Sequence, residues 1–116
     1  SQRAERQLRQ AERMYDQLEY AQALQALKPV HSNLRASAMQ RARAALYAGV
    51  CHTALGNDGD AERHFVKLLR FKPRFRLPSG VSPSVRANFG RALTRLKLPA
   101  RPRQRRAACR GDSDRR

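Results

Sequence analysis

Between Ala4 and Leu18 the apolar residues Ala4, Leu8, Ala11, Tyr15 and Leu18 recur at steps of three and four, the spacing that lines one face of an α-helix. A first helix is expected there. The phase slips between Leu18 and Tyr20, after which Tyr20, Ala23, Leu24 and Leu27 resume the period. A tight turn and a short second helix follow, ending near Pro29, because proline removes a backbone donor and crowds the preceding turn. Ser32 or Ser37 is placed to cap a third helix. Its small residues Ala38, Ala42, Ala45, Ala48 and Gly49 permit close approach by a neighbour, and it runs to Leu55.

The stretch GNDGDAERHFVKLLRFKP, residues 56–73, poses a choice between a glycine-rich loop that cradles an anion and a hinge between helices. Position favours the hinge. Gly56 follows the last periodic residue, where a left-handed helix end is expected, and Asp58 or Asp60 precedes the next periodic run, where an N-cap is expected. A phosphate loop needs a preceding strand and the spacing GxxxxGK[ST], or GxGxxG for a dinucleotide, and neither pattern occurs. Ala61, Phe65, Leu68 and Leu69 then carry a fourth helix as far as Pro73. The segment KPRFRLPSGVS, residues 72–82, reads as an extended connection. Ser82 before Pro83 is a strong helix start, since serine caps and proline fits the first helical position. Val85, Phe89, Ala92, Leu93 and Leu96 give a fifth helix its apolar stripe, and Pro99 ends it. Residues 99–116 hold too few apolar side chains to offset the entropy of ordering and are expected to form a disordered basic tail.

These elements make the chain all-α, with one helical domain over residues 1–98. Composition agrees. Hydrophobic residues make up 41% of the chain but aromatic ones only 6%, with no Trp, so Ala and Leu must build the core, which suits closely packed helices. No apolar run approaches the roughly 20 residues of a membrane helix, so a soluble chain without a transmembrane segment is expected. The chain opens on Ser1 rather than Met, from which we expect an upstream segment removed, either by a signal peptidase or by choice of boundary.

The formal net charge is +16, and its distribution matters more than its size. Residues 1–62 carry eight basic and seven acidic groups, residues 63–98 carry ten and none, and residues 99–116 carry seven and two. The first half is balanced and the second is a field of one sign, in which Arg63, Lys67, Arg70, Arg74, Arg76 and Arg86 form the expected basic surface. Arg outnumbers Lys by 21 to 4. A GC-rich genome produces the same bias, so charge alone does not name a partner.

The two helix pairs call for a search for self-similarity. Setting Tyr20-x-x-Ala23-x-x-x-Leu27 over Asp58-x-x-Ala61-x-x-x-Phe65 superposes the hinges and brings Leu8 onto Leu46, at an offset of 38 residues. Residues 42–75, with Ala45, Ala48 and Gly49, then Leu55-Gly56, Ala61, Phe65, Leu68 and Pro73, resemble a tetratricopeptide repeat. Residues 4–37 resemble it through Ala11, Met14, Tyr20, Ala23 and Leu27. That repeat is 34 residues long, so the extra turn falls in PVHSNLRAS. Together the two units span about two thirds of the chain. The resemblance implies antiparallel helix hairpins stacked as a short solenoid, with the fifth helix shielding the exposed side as a cap. It also implies a concave groove lined by the first helix of each pair. In the repeat's register the groove offers Glu12, Tyr15 and Asp16 from the first unit and Arg43, Leu46, Val50 and Thr53 from the second.

Signs of catalysis are missing. His31, His52 and His64 lack metal-ligand spacing, and the adjacent Cys51 and His52 point about 100° apart on a helix. Cys51 and Cys109 lack the spacing of a disulfide framework and are read as free thiols, with Cys51 a small core residue. No nucleophile elbow or oxyanion signature occurs. We therefore expect a non-enzymatic chain without cofactor or metal. Arg110-Gly111-Asp112 spells an adhesion tripeptide, which we read as coincidence in an Arg-rich tail.

Three function classes remain. The first is a scaffold that binds a protein or peptide partner in the groove. The second is nucleic-acid binding, with Phe71 and Phe75 interleaved among Lys72, Arg74 and Arg76 as stacking candidates. The third is a role in a bacterial envelope. A two-repeat module followed by FRLPSGVSPSVRANF looks similar to small exported tetratricopeptide proteins of Gram-negative bacteria, which implies a periplasmic location, with the tail resting on anionic lipid. A cytoplasmic scaffold is the alternative.

Overall fold

The computed structural model describes residues 1–99, and every regular element among them is helical. The elements are α1 (Gln2–Asp16), α2 (Tyr20–Ser32), α3 (Ala38–Ala54), α4 (Asp58–Phe71) and α5 (Pro83–Arg95). The all-α reading holds. The expected tail, beyond its first residue Pro99, lies outside the described residues.

Local chemistry explains most of the boundaries. Ser1 Oγ accepts the Ala4 amide to cap α1. Ser37, rather than Ser32, caps α3, and Gln40 returns the favour by accepting the Ser37 amide through Oε1, completing a capping box. Ser82 Oγ accepts the Val85 amide at 3.2 Å, with Pro83 opening α5 as expected.

Three expectations need correction. Pro29 does not end α2. Proline forfeits a single backbone bond there, while the next turn buries Val30 completely and Ser32 Oγ closes it by donating to the carbonyls of Lys28 and Pro29. The N-cap of α4 is Asn57 rather than Asp58 or Asp60. The chain turns one residue earlier, and both acids fall in the first helical turn, where the helix dipole favours them. Leu18 does not extend the apolar face of α1, since it lies beyond the helix end with φ of 64° and 70% of its surface exposed.

The hinges themselves repeat. Gln17, Leu55 and Leu96 close α1, α3 and α5 with φ of −89°, −88° and −87° and ψ of 7°, 1° and 0°. The next residue is left-handed each time: Leu18 at 64°, Gly56 at 81° and Lys97 at 58°. The residue after that donates its amide five positions back, from Glu19 to Met14, Asn57 to His52 and Leu98 to Leu93, at 2.8, 2.8 and 2.9 Å. This bond marks a Schellman end. A second feature recurs between α3 and α5, where Thr53 and Thr94 donate to the carbonyls of Gly49 and Gly90. By its helix end α5 is built like both α1 and α3, the helices that open a hairpin, and by the threonine–glycine bond it is built like α3.

Packing follows from small residues on α3. Ala42, Ala44, Ala45, Ala48, Gly49 and Cys51 are all buried, and α3 is in contact with each of the other four helices. One core joins α1, α2 and α3 around Leu8, Leu27 and Val30. The other joins α3, α4 and α5 around Phe65, Leu68, Leu69 and Phe89, and receives Leu77 from the connection between α4 and α5. Phe65 is wholly buried because its ring lies over Gly49. A Cβ on Gly49 would stand 2.4, 2.7 and 2.8 Å from three of its ring carbons.

Gly49→Ala is therefore expected to lower unfolding stability by about 2 kcal/mol in a denaturant titration, overpacking outweighing the ~1 kcal/mol gained in helix propensity. Gly90→Ala, at a position with nothing within 4 Å of the new carbon, is expected to raise it by about 0.5–1 kcal/mol. A loss at position 90 equal to that at position 49 would show that the Phe65 contact is not the cause.

Candidate functional site

Helices α1, α3 and α5 form a row. α1 lies against α3 and α3 against α5, whereas α2 and α4 make no close backbone approach. The C-terminal turns of α1 and α3 and the start of α5 enclose a cleft of about 530 Å³. Its walls are Tyr15, Tyr20, Val50, Thr53 and Ala54 on one side and Ser79, Gly80, Val81, Ser82, Ser84 and Val85 on the other. The second wall is formed by the irregular chain that leads into α5 and by the first turn of that helix.

The structure gathers only part of the expected groove in this cleft. Tyr15, Val50 and Thr53 line it. Tyr15 also meets Tyr20 and Tyr47 edge-on, with ring centroids 5.8 and 5.4 Å apart, and burial raises the phenol pKa of Tyr15 and Tyr47. Leu46 is half-buried and packs on the α3–α4–α5 core with Val50. Asp16 is exposed at the end of α1.

Glu12 and Arg43 serve each other. Arg43 crosses from α3 to α1, donating one nitrogen to both Glu5 oxygens at 2.9 and 3.0 Å and the other to Glu12 at 2.7 Å. These bonds hold the Glu5 carboxyl below the usual range, with the Gln40 amide helping. The Glu12 bond, together with Glu5, raises the Arg43 pKa. The pair ties helix to helix rather than offering free charge to a ligand.

Thr53 is also committed. Its hydroxyl donates to Gly49 at 2.8 Å and accepts from the Asn88 amide at 3.0 Å. Asn88 is the buried polar residue of the core, and the same amide nitrogen donates to Asp58 at 3.0 Å. One side chain thus joins α5 to both α3 and α4. Sequence reading passed over Asn88 because it sits among apolar positions of α5.

The expected basic surface divides. Arg63 pairs with Asp60, and Arg86 donates to the Pro78 carbonyl at 3.4 Å. Lys67 is half-buried on α4. Arg70, Arg74 and Arg76 are exposed and make no ion pair among the described residues. Phe71 and Phe75 are half-buried and pack against the core, Phe75 lying 6.2 Å from Phe89, so each leaves only part of its ring exposed. Arg91 and Arg95 meet Glu62.

A basic strip that charge counting concealed runs along α1. Arg3, Arg6, Arg9 and Arg13 flank Gln7 and Gln10 at helical spacing. The first half of the chain is balanced in number, but Glu5 and Glu12 turn toward Arg43 on α3, so that of these exposed arginines Arg9 alone keeps an acid partner among the described residues, Glu5 at 3.4 Å.

Cys51 is wholly buried, and desolvation pushes its thiol up to about 11, which makes it an inert core residue as read from sequence. Among the described residues no group of three His, Cys, Asp or Glu is placed to hold a metal ion, and no helix is long and apolar enough to cross a membrane. Comparison with protein-family models, curated proteins and solved structures returns no significant match.

Asn88→Ala is expected to cost about 2 kcal/mol, since two hydrogen bonds and a filled site are lost together. In a double-mutant cycle with Thr53→Val the coupling should be about 1 kcal/mol. Additive losses would mean the Asn88–Thr53 bond contributes nothing.

Proposed function

We propose that this chain is a helical-repeat module of the tetratricopeptide type that binds a segment of a partner protein, without catalysis, in the cleft between α1, α3 and α5. The observation that carries the reading is the cleft itself, where three residues chosen by the repeat's register, Tyr15, Val50 and Thr53, share a wall. Its volume falls within the range of ligand-holding clefts. Val50, Val81, Val85 and Tyr15 suit an apolar or aromatic anchor, while Ser79 and Ser84 add polar groups to the opposite wall.

Repeat architecture is supported by the three matching hinges, by the Phe65 ring seated on Gly49, and by α5. The position in α5 that matches Gly49 is Gly90, and its surroundings carry Arg86, Ala87 and Thr94, all exposed. A further hairpin helix would find polar side chains there. The face reads as a solvated end of the stack, which is what a cap requires.

The second reading, an anionic surface or nucleic acid as partner, draws on the exposed Arg70, Arg74 and Arg76. Its stacking candidates, Phe71 and Phe75, are partly taken up by the core, so such binding would be mainly charge-driven and strongly salt-dependent.

Peptides selected from a displayed random library against the full chain provide the test. We expect Tyr15→Ala, which removes the aromatic wall, and Ser84→Arg, which obstructs the opening, each to weaken the selected peptides at least tenfold by calorimetry. Arg74→Glu with Arg76→Glu should change affinity less than twofold, with little effect of raising salt from 50 to 500 mM. If duplex DNA or acidic vesicles bind instead, with affinity collapsing in salt and in the Arg74→Glu/Arg76→Glu variant while the cleft variants bind normally, the scaffold reading fails.

A further inference from the structure

The chain has three histidines, and the fold brings all of them into one column. His64 of α4 is the middle ring. His31, from the last turn of α2, lies 5.0 Å away centroid to centroid and tilted by 33°, and His52, from α3, lies 5.3 Å away and stacked within 15°. Nδ1 of both His31 and His64 is buried without a hydrogen-bond partner. Stacked rings do not aim their nitrogens at a common point, so the column is not a metal site.

Its place in the fold gives it significance. The backbones of α2 and α4 do not approach each other, so the His31–His64 contact spans the seam between the first hairpin and the second. The charged groups around the column are few. From α4 come Lys67, beside His31 and His64, and Arg63, beside His64 and His52. Asp60, also on α4, stands 4.0 Å from His52 Nδ1 but is already paired with Arg63, and Asn57 meets the same nitrogen at 3.3 Å. From α3 and α2 the groups are His52 and His31 themselves. A proton on the middle ring therefore meets two cationic side chains and two more rings, in a half-buried seam with little to compensate it.

We propose that this column is a pH-operated latch between the two hairpins. Neutral, its rings pack the seam and hold the last turn of α2 near α4; protonated, they repel one another and part that turn from α4, while the core that joins α1, α2 and α3 and the core that joins α3, α4 and α5 both remain. The surroundings act in the required direction. Burial, then Lys67 and His52, hold His31 at a pKa of about 4, and burial, then the neighbouring His31 and His52, hold His64 at about 4. Burial and Arg63 lower His52 as well. For a base depressed in the folded state, the stabilisation is whole above the unfolded value of about 6.5 and drains away as pH falls toward the folded value. The window is thus pH 6.5 down to about 4.

The test uses the full chain in EDTA. Urea unfolding between pH 6.5 and 5, where carboxylates are still largely ionised, is expected to show the folded-to-unfolded ratio falling by about fortyfold per pH unit, roughly sixfold for each strongly depressed ring. His31→Phe with His64→Phe keeps two aromatic rings in the seam and should reduce the slope to less than tenfold per unit. In the wild-type chain, the ring C–H signals of His31 and His64 should remain those of neutral imidazole at pH 5.5, and lowering the pH further should speed amide exchange first in α2. Titration of those two rings near 6.5 in the folded protein, equal slopes for wild type and double variant, or exchange that rises equally in every helix would each overturn the latch.

Discussion

Phe65 can occupy the centre of the second core only because Gly49 presents no side chain to it. The ring would overlap even a methyl group at position 49, so α3 and α4 approach at a distance that few residue pairs allow. That closeness propagates. It brings the start of α4 to the end of α3, where Asp58 and Thr53 can share the amide of Asn88, and so places α5 against both. It also brings His64 of α4 beside His52 of α3. An alanine-rich helix contributes little apolar area of its own. The energy comes from the large side chains its small ones admit, each fully buried Phe or Leu adding about 2 kcal/mol.

Charge is arranged by the same economy. Three glutamates of the first and fourth helices are used between helices: Glu5 and Glu12 on Arg43, Glu62 on Arg91 and Arg95. Partly exposed pairs of this kind contribute modestly to stability, but they decide where uncompensated charge remains. Drawing the acids inward leaves the outer strip of α1 and the turn at residues 70–76 as the cationic surfaces of the described chain. Net charge along the sequence could not show this, because it counts partners that the fold separates.

Where the sequence was readable, the reason is local. Periodicity located all five helices, Ser37, Ser82 and Gly56 acted as their chemistry requires, and the offset of 38 residues reappears in the dihedrals of the hinges at Leu18 and Gly56. The misses have tertiary causes. Pro29 was read as a stop because its cost is local, whereas the burial of Val30 that offsets it is not. Leu18 was assigned to an apolar face because its pattern fits, while the Schellman end puts it in water, where glycine stands in the second hinge. Asn88 and the histidine column were invisible because their partners lie on other helices, 12 to 35 positions away, and no spacing rule pairs His31, His52 and His64. Of the groove, Tyr15, Val50 and Thr53 followed from register, but the opposite wall, from Ser79 to Val85, belongs to a connection that periodicity leaves blank.

The last turn of α3 joins these features. Val50 and Thr53 face the cleft, Cys51 is buried, and His52 stacks in the column. Residues on one helical turn cannot move independently, so a displacement that parts α2 from α4 also shifts the wall formed by Val50 and Thr53 relative to Tyr15 on α1. Such a link becomes regulation only if an occupant binds the two arrangements differently; a segment that fits both equally well would shift nothing. The cleft meets that condition on geometric grounds. Tyr15 reaches it from the first hairpin and Val85 from the fifth helix, so under the proposed function an anchor gripped between them would span the seam and favour the closed state, and by reciprocity closure would strengthen its binding.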